Sequence, residues 1–200
     1  MSVTVIELLE CSEIAYDKKE ILRYMGCSKS TQEIDELIED CLAECEGAFR
    51  YKTVFCPICA SVDGGAVVLG DKRIESRDLA RALSDCDRAV IFGATVGIEI
   101  DRLVLKYGRI SPSRAVVFQA IGAERVEALC DALCKRLREI YGKTCPRFSP
   151  GYGDLSLGLQ EHIFSLLECH KHIGLTLNDT NLMSPTKSVT AIVGIKRQGQ

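Results

Sequence analysis

The segment that most constrains the fold covers residues 111–141, because it contains no proline after Pro112 and can continue as one helix. Ser111 followed by Pro112 is a helix start signal, with serine at the cap and proline at the first helical position. Gly122 is the one weak helix former inside the segment. One broad apolar stripe recurs at helical spacing: Val116, Ala120, Ala123, Val126, Cys130, Leu133, Leu137 and Ile140. The sequence therefore predicts a long helix that spans the domain and organises its core.

The composition describes a folded globular chain. Of the 200 residues, 46% are hydrophobic and 26% are charged, and the net charge is −3. The absence of a basic block argues against nucleic acid as a partner. No uninterrupted apolar run approaches the roughly 18 residues of a membrane span, and the N-terminus lacks the pattern of a signal peptide. We therefore expect no membrane association and a cytoplasmic protein.

Further elements follow from periodicity and capping residues. Helices are predicted over residues 18–24, 31–49, 76–83, 97–107 and 157–170, and strands over 51–55, 65–69, 88–95 and 187–195. Helices and strands do not alternate regularly, which argues against a doubly wound sheet. The predicted class is α+β, with helices covering a twisted, largely antiparallel sheet. We expect a single domain over residues 1–200, with a helical N-terminal portion over about 1–50.

The 11 cysteines and 3 histidines raise the question of a metal or redox site. Cys56 and Cys59 form a Cys-x-x-Cys, a spacing found in zinc knuckles and redox disulfides, but no second ligand pair lies at a partnering distance. Cys41 with Cys45, and Cys130 with Cys134, lie one helical turn apart, where packing of reduced thiols is the favoured interpretation. His162, His170 and His172 lie on or just after the helix predicted over residues 157–170. No metal ligands are therefore assigned.

The stretch of residues 145–154 looks least like core packing. Pro146 and Pro150 prevent a helix, while Gly151 and Gly153 allow positive φ angles. Arg147 and Tyr152 would project from this stiff loop, where a guanidinium can hold a carboxylate and a phenol ring can stack on a heterocycle or cover a cation. Chemistry alone leaves an ordinary surface connection between two helices equally open.

Two motifs in this region resemble the activation domain of cobalamin-dependent methionine synthase. The first is the run Arg-Phe-Ser-Pro-Gly-Tyr, and the second begins after a helix-like segment at Gly174. The matching positions are Arg147, Pro150, Gly151, Tyr152, Gly174, Leu177, Met183, Pro185, Ser188 and Val189. After Tyr152 the family's Pro-Ala-Cys is replaced by Gly-Asp-Leu, and the family's upstream aspartate-containing loop has no match.

The resemblance implies a site for S-adenosylmethionine. Arg147 would hold the ligand's carboxylate, Tyr152 would pack on the ligand, and the backbone of Ser149 and Gly151 would bind its polar groups. An acid close to the sulfonium would be favourable. Asp131, on the preceding helix, and Asp154 are the candidates for that role.

The resemblance further implies a stand-alone activation subunit, which is an enzyme only as part of a methionine synthase system. It would support reductive methylation of cob(II)alamin held by a partner, either a cobalamin-binding methionine synthase or another corrinoid protein. An electron donor such as flavodoxin or ferredoxin would take part. The alternatives are a sensor of S-adenosylmethionine or a protein-interaction module in another corrinoid methyltransferase system. A conventional methyltransferase is disfavoured because no glycine-rich loop follows a first strand.

Overall fold

The computed structural model describes residues 7–10 and 14–197. In chain order the elements are β1 (Glu7–Glu10), α1 (Lys18–Tyr24), α2 (Gln32–Glu44), β2 (Lys52–Asp63), β3 (Ala66–Leu69), β4 (Lys72–Glu75), α3 (Arg77–Ala82), β5 (Cys86–Thr95), α4 (Glu99–Ile110), α5 (Pro112–Tyr141), α6 (Leu159–Leu167), α7 (Cys169–Ile173), β6 (Thr176–Leu177), β7 (Met183–Ser184) and β8 (Ser188–Lys196). The predicted long helix is confirmed as α5, and the helix predicted over residues 18–24 is confirmed as α1.

In the described part of the chain the main sheet has six strands, and all of their pairings are antiparallel. Its order is β4-β3-β2-β5-β8, with β1 also pairing with β2. The register places Phe92 of β5 opposite Phe55 of β2 on one side and opposite Ala191 of β8 on the other. The predicted α+β class with a largely antiparallel sheet is therefore confirmed.

Helices cover both faces of this sheet, because successive side chains of a strand point to opposite faces. Phe92 and Val193 face a core that they share with Leu129 and Leu133 of α5. Ile91 and Ile192, which directly precede Phe92 and Val193 in their strands, face a second core formed with α3, α6 and α7. The chain crosses from the first helical layer to the second between α5 and α6, and the loop that makes this crossing carries Arg147.

Helix α5 is buried over more of its surface than the predicted stripe. Val116 and Ile140, which the stripe included, are exposed, whereas Val117, Phe118 and Ile121 are fully buried. The predicted weak point, Gly122, lies where α4 approaches the helix: an added Cβ would be 2.9 Å from Cγ1 of Ile100. The glycine therefore permits close packing of the two helices.

A buried ion pair inside α5 was not predicted. Arg125 and Glu124 are almost completely buried and bind each other through paired hydrogen bonds. Arg125 also donates to the backbone oxygens of Ile14 and Ala15, at 2.5 and 2.7 Å. The guanidinium therefore fixes the segment that precedes α1 onto the long helix.

Several predicted boundaries were wrong. The strand predicted over 51–55 is too short, because β2 continues to Asp63 and pairs with β3 around Gly64 and Gly65. The helix predicted over 157–170 is two helices, since Glu168 adopts a left-handed conformation between α6 and α7. Helix α2 ends at Glu44, and β1, β4 and the small β6–β7 hairpin were missed. Across the described ranges, no helix combines the length and the apolar character needed to cross a membrane.

Candidate functional site

The loop that follows α5 extends the sheet beyond its edge strand. Cys145 N donates to the carbonyl oxygen of Gly194 at 2.8 Å, and Phe148 exchanges two hydrogen bonds with Ile192, each of 2.9 Å. Both partners belong to β8, which lies at the end of the strand order. The backbone on either side of Arg147 is therefore held by a rigid element, although the two prolines exclude a regular strand.

The loop then turns sharply. Gly151 N donates to the oxygen of Leu155 at 2.9 Å, and Tyr152 N donates to the oxygen of Ser149 at 3.2 Å. Gly151 and Gly153 have φ angles of 91° and 53°, which glycine adopts without strain. Tyr152 lies at the tip of this turn and is 68% exposed. The predicted special conformation of the two glycines is confirmed.

Asp154 fixes the far end of the turn to another helix. Its carboxylate accepts hydrogen bonds from Ser76 Oγ at 2.5 Å and from the backbone nitrogens of Arg77 and Asp78 at 2.8 and 3.3 Å. These groups form the N-terminus of α3, where Ser76 is the N-cap residue. The hydroxyl of Ser76 and the two backbone N–H groups lower the pKa of Asp154. The carboxylate is thus used to cap a helix.

Arg147 reaches back to α5 and pairs with two acids. Its Nη1 donates to Asp131 Oδ1 at 2.5 Å, and its Nη2 pairs with Glu127. Burial opposes the charge of Arg147, but the hydrogen bond to Asp131 and the nearby acids raise its pKa above the usual range. The structure therefore brings Arg147 into contact with Asp131, one of the acids assigned to the site, and with Glu127, which was not assigned. Glu127 precedes Asp131 by one helical turn, and that spacing was its only sequence signal.

A cavity of about 340 Å³ opens beside this guanidinium. Its volume lies within the range of small-molecule pockets, roughly 300–1,000 Å³. Three of the six residues assigned to the site from the sequence, Arg147, Ser149 and Tyr152, line it. Gly151 shapes the loop between them, while Asp131 and Asp154 are not part of the lining. The other lining residues are Glu127, Phe148, Pro150, Gln160, Met183, Ser188, Val189 and Thr190.

Two of the lining residues carry buried oxygens that have no hydrogen-bond partner in the described ranges. Gln160 is 5% exposed and Thr190 is 2% exposed. Gln160 Oε1 and Thr190 Oγ1 form no hydrogen bond with any residue that the structure describes. An unsatisfied buried polar group costs on the order of 1–3 kcal/mol. Such atoms on a cavity wall are suited to bind a ligand. Gln160 was missed because only the packing of α6 brings it to the site.

Seven of the ten cysteines in the described ranges are buried. Cys56 is buried and Cys59 is exposed, because residues three apart in a strand point to opposite faces of the sheet. This Cys-x-x-Cys therefore does not present both thiols to one metal ion. Burial raises the pKa of the thiols of Cys130, Cys134 and Cys45, all of which lie in the core. Within residues 14–197, no group of three or more His, Cys, Asp or Glu residues is arranged to hold a metal ion.

Comparison with known proteins identifies the fold. No protein-family model matches the chain, and among curated proteins no relative matches it. Among solved structures, the crystal structure of the MetH reactivation domain bound to AdoHcy aligns with a TM-score of 0.76 at 16% sequence identity. The alignment covers 98% of this chain and 80% of that chain. At this identity the likeness shows the fold alone, and it confirms the predicted fold of a methionine synthase activation domain.

Proposed function

We propose that this chain binds S-adenosylmethionine in the cavity beside Arg147 and supports methylation of cobalamin carried by a partner protein. The observation that carries the proposal is a loop guanidinium on the wall of a ligand-sized cavity. It occurs in the fold of a domain that has been solved with AdoHcy, the product of methyl transfer from S-adenosylmethionine.

Arg147 keeps donors available for the carboxylate of the ligand. A guanidinium has five N–H donors, and the bonds to Asp131 and Glu127 use two of them. The two acids hold the planar group in one orientation, so little side-chain freedom is lost when a carboxylate binds. Ser149 and Gly151, in the loop that follows Arg147, are proposed to bind polar groups of the same ligand through their backbone.

The charge of the site suits a cationic ligand. One guanidinium beside two carboxylates, Glu127 and Asp131, leaves a local net charge of −1. S-adenosylmethionine carries a sulfonium and an ammonium against one carboxylate, and its demethylated product lacks the sulfonium charge. Because Glu127 lines the cavity and Asp131 is bound to Arg147, these acids are proposed to favour the methylated form.

The open side of the cavity fits a ligand whose methyl group must be reached from outside. Tyr152 lines this side and is largely exposed, so its ring can cover the ligand while a partner approaches. In the proposed reaction, the methyl group of S-adenosylmethionine and one electron from a donor convert cob(II)alamin of the partner to methylcobalamin, leaving S-adenosylhomocysteine. The proposed partner is a cobalamin-binding methionine synthase or another corrinoid protein, and the donor is a flavodoxin or a ferredoxin.

The proposal is tested by adding the chain to a corrinoid protein that holds cob(II)alamin, with reduced flavodoxin and S-adenosylmethionine labelled in its methyl group. We expect transfer of label to the corrinoid only when the chain is present, and at least tenfold slower transfer with Arg147→Ala. The control is Arg136→Ala, an exposed arginine on α5 that pairs with Glu139 at 3.1 Å. Saturable binding of the ligand with no acceleration of transfer would instead favour a sensor of S-adenosylmethionine.

A further inference from the structure

Gln160 occupies a position of α6 that faces the core. The buried residues of this helix are Leu159, Gln160, Ile163 and Leu167, so the amide takes a place in an otherwise apolar row. Its Oε1 has no partner within the described part of the chain. A glutamine kept for packing would be expected to satisfy this oxygen or to be replaced by an apolar residue.

Thr190 of β8 is the residue on the sheet that corresponds to Gln160 on α6. The preceding residue on the same face of the strand, Ser188, shows how a structural hydroxyl is satisfied there, since its Oγ lies 2.8 Å from both Thr95 Oγ1 and the oxygen of Pro185. Thr190 Oγ1 has no such partner in the portion that the structure describes. Two neutral polar groups are thus available on the buried wall of one cavity.

The residues that line the cavity differ both in their solvent exposure and in their chemistry. Tyr152 is 68% exposed and the Arg147 side chain 25%, whereas Gln160 and Thr190 are at most 5% exposed. Tyr152 and the charged Arg147 therefore occupy the half-open part, whereas the neutral amide of Gln160 and the hydroxyl of Thr190 occupy the enclosed part. A ligand with a charged amino-acid end and a neutral planar base matches this gradient if the base lies at the enclosed end.

We propose that Gln160 recognises the adenine base of the ligand through hydrogen bonds. Thr190 would supply a further polar contact at the same, enclosed end of the cavity. The amide oxygen would accept a hydrogen bond from the exocyclic amine, and the amide nitrogen would donate to an adjacent ring nitrogen. Glutamine makes this paired contact with adenine in other settings. The inference rests on the proposed function and deepens it, because it assigns the residue that selects an aminopurine.

The test pairs a protein variant with a ligand variant. Calorimetry measures the affinity of wild-type and Gln160→Leu protein for S-adenosylhomocysteine and for its analogue in which the purine lacks the 6-amino group. We expect the wild type to prefer the aminopurine at least tenfold, and Gln160→Leu to bind both ligands with similar, weakened affinity. Thr190→Val is expected to weaken binding of both ligands. Glu161→Gln, an exposed neighbour on α6, is the matched control and is expected to change neither affinity.

A second measurement separates recognition from support of the fold. Because the amide oxygen has no hydrogen-bond partner among the residues that the structure describes, Gln160→Leu is expected to raise the melting temperature of the free protein while it weakens binding. A lower melting temperature with an unchanged preference for the aminopurine would overturn the inference and leave the proposed function intact. Failure of the wild type to bind S-adenosylhomocysteine or S-adenosylmethionine would overturn both.

Discussion

Arg147 of the loop and Asp131 of α5 are joined by a hydrogen bond of 2.5 Å between Nη1 and Oδ1. The bond connects the helix that organises the core to the loop that carries the proposed ligand contacts. Since the backbone of the same loop pairs with β8, the guanidinium is held from two sides. A site held on rigid elements in this way is preorganised for a ligand.

Replacing Glu127 by glutamine removes one negative charge from the cavity wall. We expect Glu127→Gln to weaken binding of S-adenosylmethionine more than binding of S-adenosylhomocysteine, because only the former carries the sulfonium charge. The ratio of the two affinities should fall roughly fivefold, which corresponds to about 1 kcal/mol for a partly screened interaction. Titration calorimetry with both ligands measures it.

The control for this change is Glu139→Gln, since Glu139 is exposed on the same helix and pairs with Arg136. It should leave both affinities unchanged. Equal weakening of the two ligands by Glu127→Gln would show that Glu127 acts through the position of Arg147 and does not select charge.

Asp154→Asn should lower the stability of the protein and change its dependence on pH. The pKa of Asp154 lies below its ordinary value of 3.8, so the carboxylate stabilises the fold above that pH. This contribution is lost as the pH falls through the lowered pKa. Melting temperatures between pH 3 and pH 7 should therefore fall less steeply in the variant, roughly below pH 4.

Ser76→Ala, which changes the N-cap residue of α3, provides a comparison for Asp154→Asn. It removes the hydroxyl that donates to Asp154 and accepts from Leu79 N, but it keeps the carboxylate. It should lower the melting temperature and retain part of the acid dependence. An Asp154→Asn protein as stable as the wild type at neutral pH would contradict the capping role.

Arg125→Met should destabilise the fold strongly. It leaves Glu124 buried without its cation and removes the donors to the backbone oxygens of Ile14 and Ala15. Breaking a buried pair in this way costs about 3–5 kcal/mol. Urea denaturation measures the free energy of unfolding. The double variant Glu124→Leu with Arg125→Met should be less destabilised, and a smaller loss in the single variant than in the double would contradict the account.

The sequence predicted best those elements whose start or conformation is set by residues close together in the chain. Ser111 and Pro112 start α5, and the absence of later prolines lets it continue to Tyr141. The loop around Arg147 was recognised for the same reason, since its prolines and glycines lie within a few residues of one another.

Long-range packing explains what the sequence could not predict. The role of Asp154 depends on Ser76, which is 78 positions away in the chain. Gln160 and Thr190 line the same cavity only because α6 packs on the face of the sheet that carries Thr190. The break at Glu168 requires a left-handed conformation at a residue that is not glycine, for which the sequence has no clear signal.

Titration of the wild-type chain with S-adenosylmethionine, beside Arg147→Ala and the control Arg136→Ala, tests the central claim most directly. A charge-assisted hydrogen bond contributes roughly 1.5–3 kcal/mol, so Arg147→Ala should weaken binding at least tenfold. Its melting temperature should stay close to that of the wild type, because the acids it pairs with are partly exposed. We predict saturable binding that Arg136→Ala retains and Arg147→Ala loses. Equal affinity in all three proteins would contradict the assignment of the site.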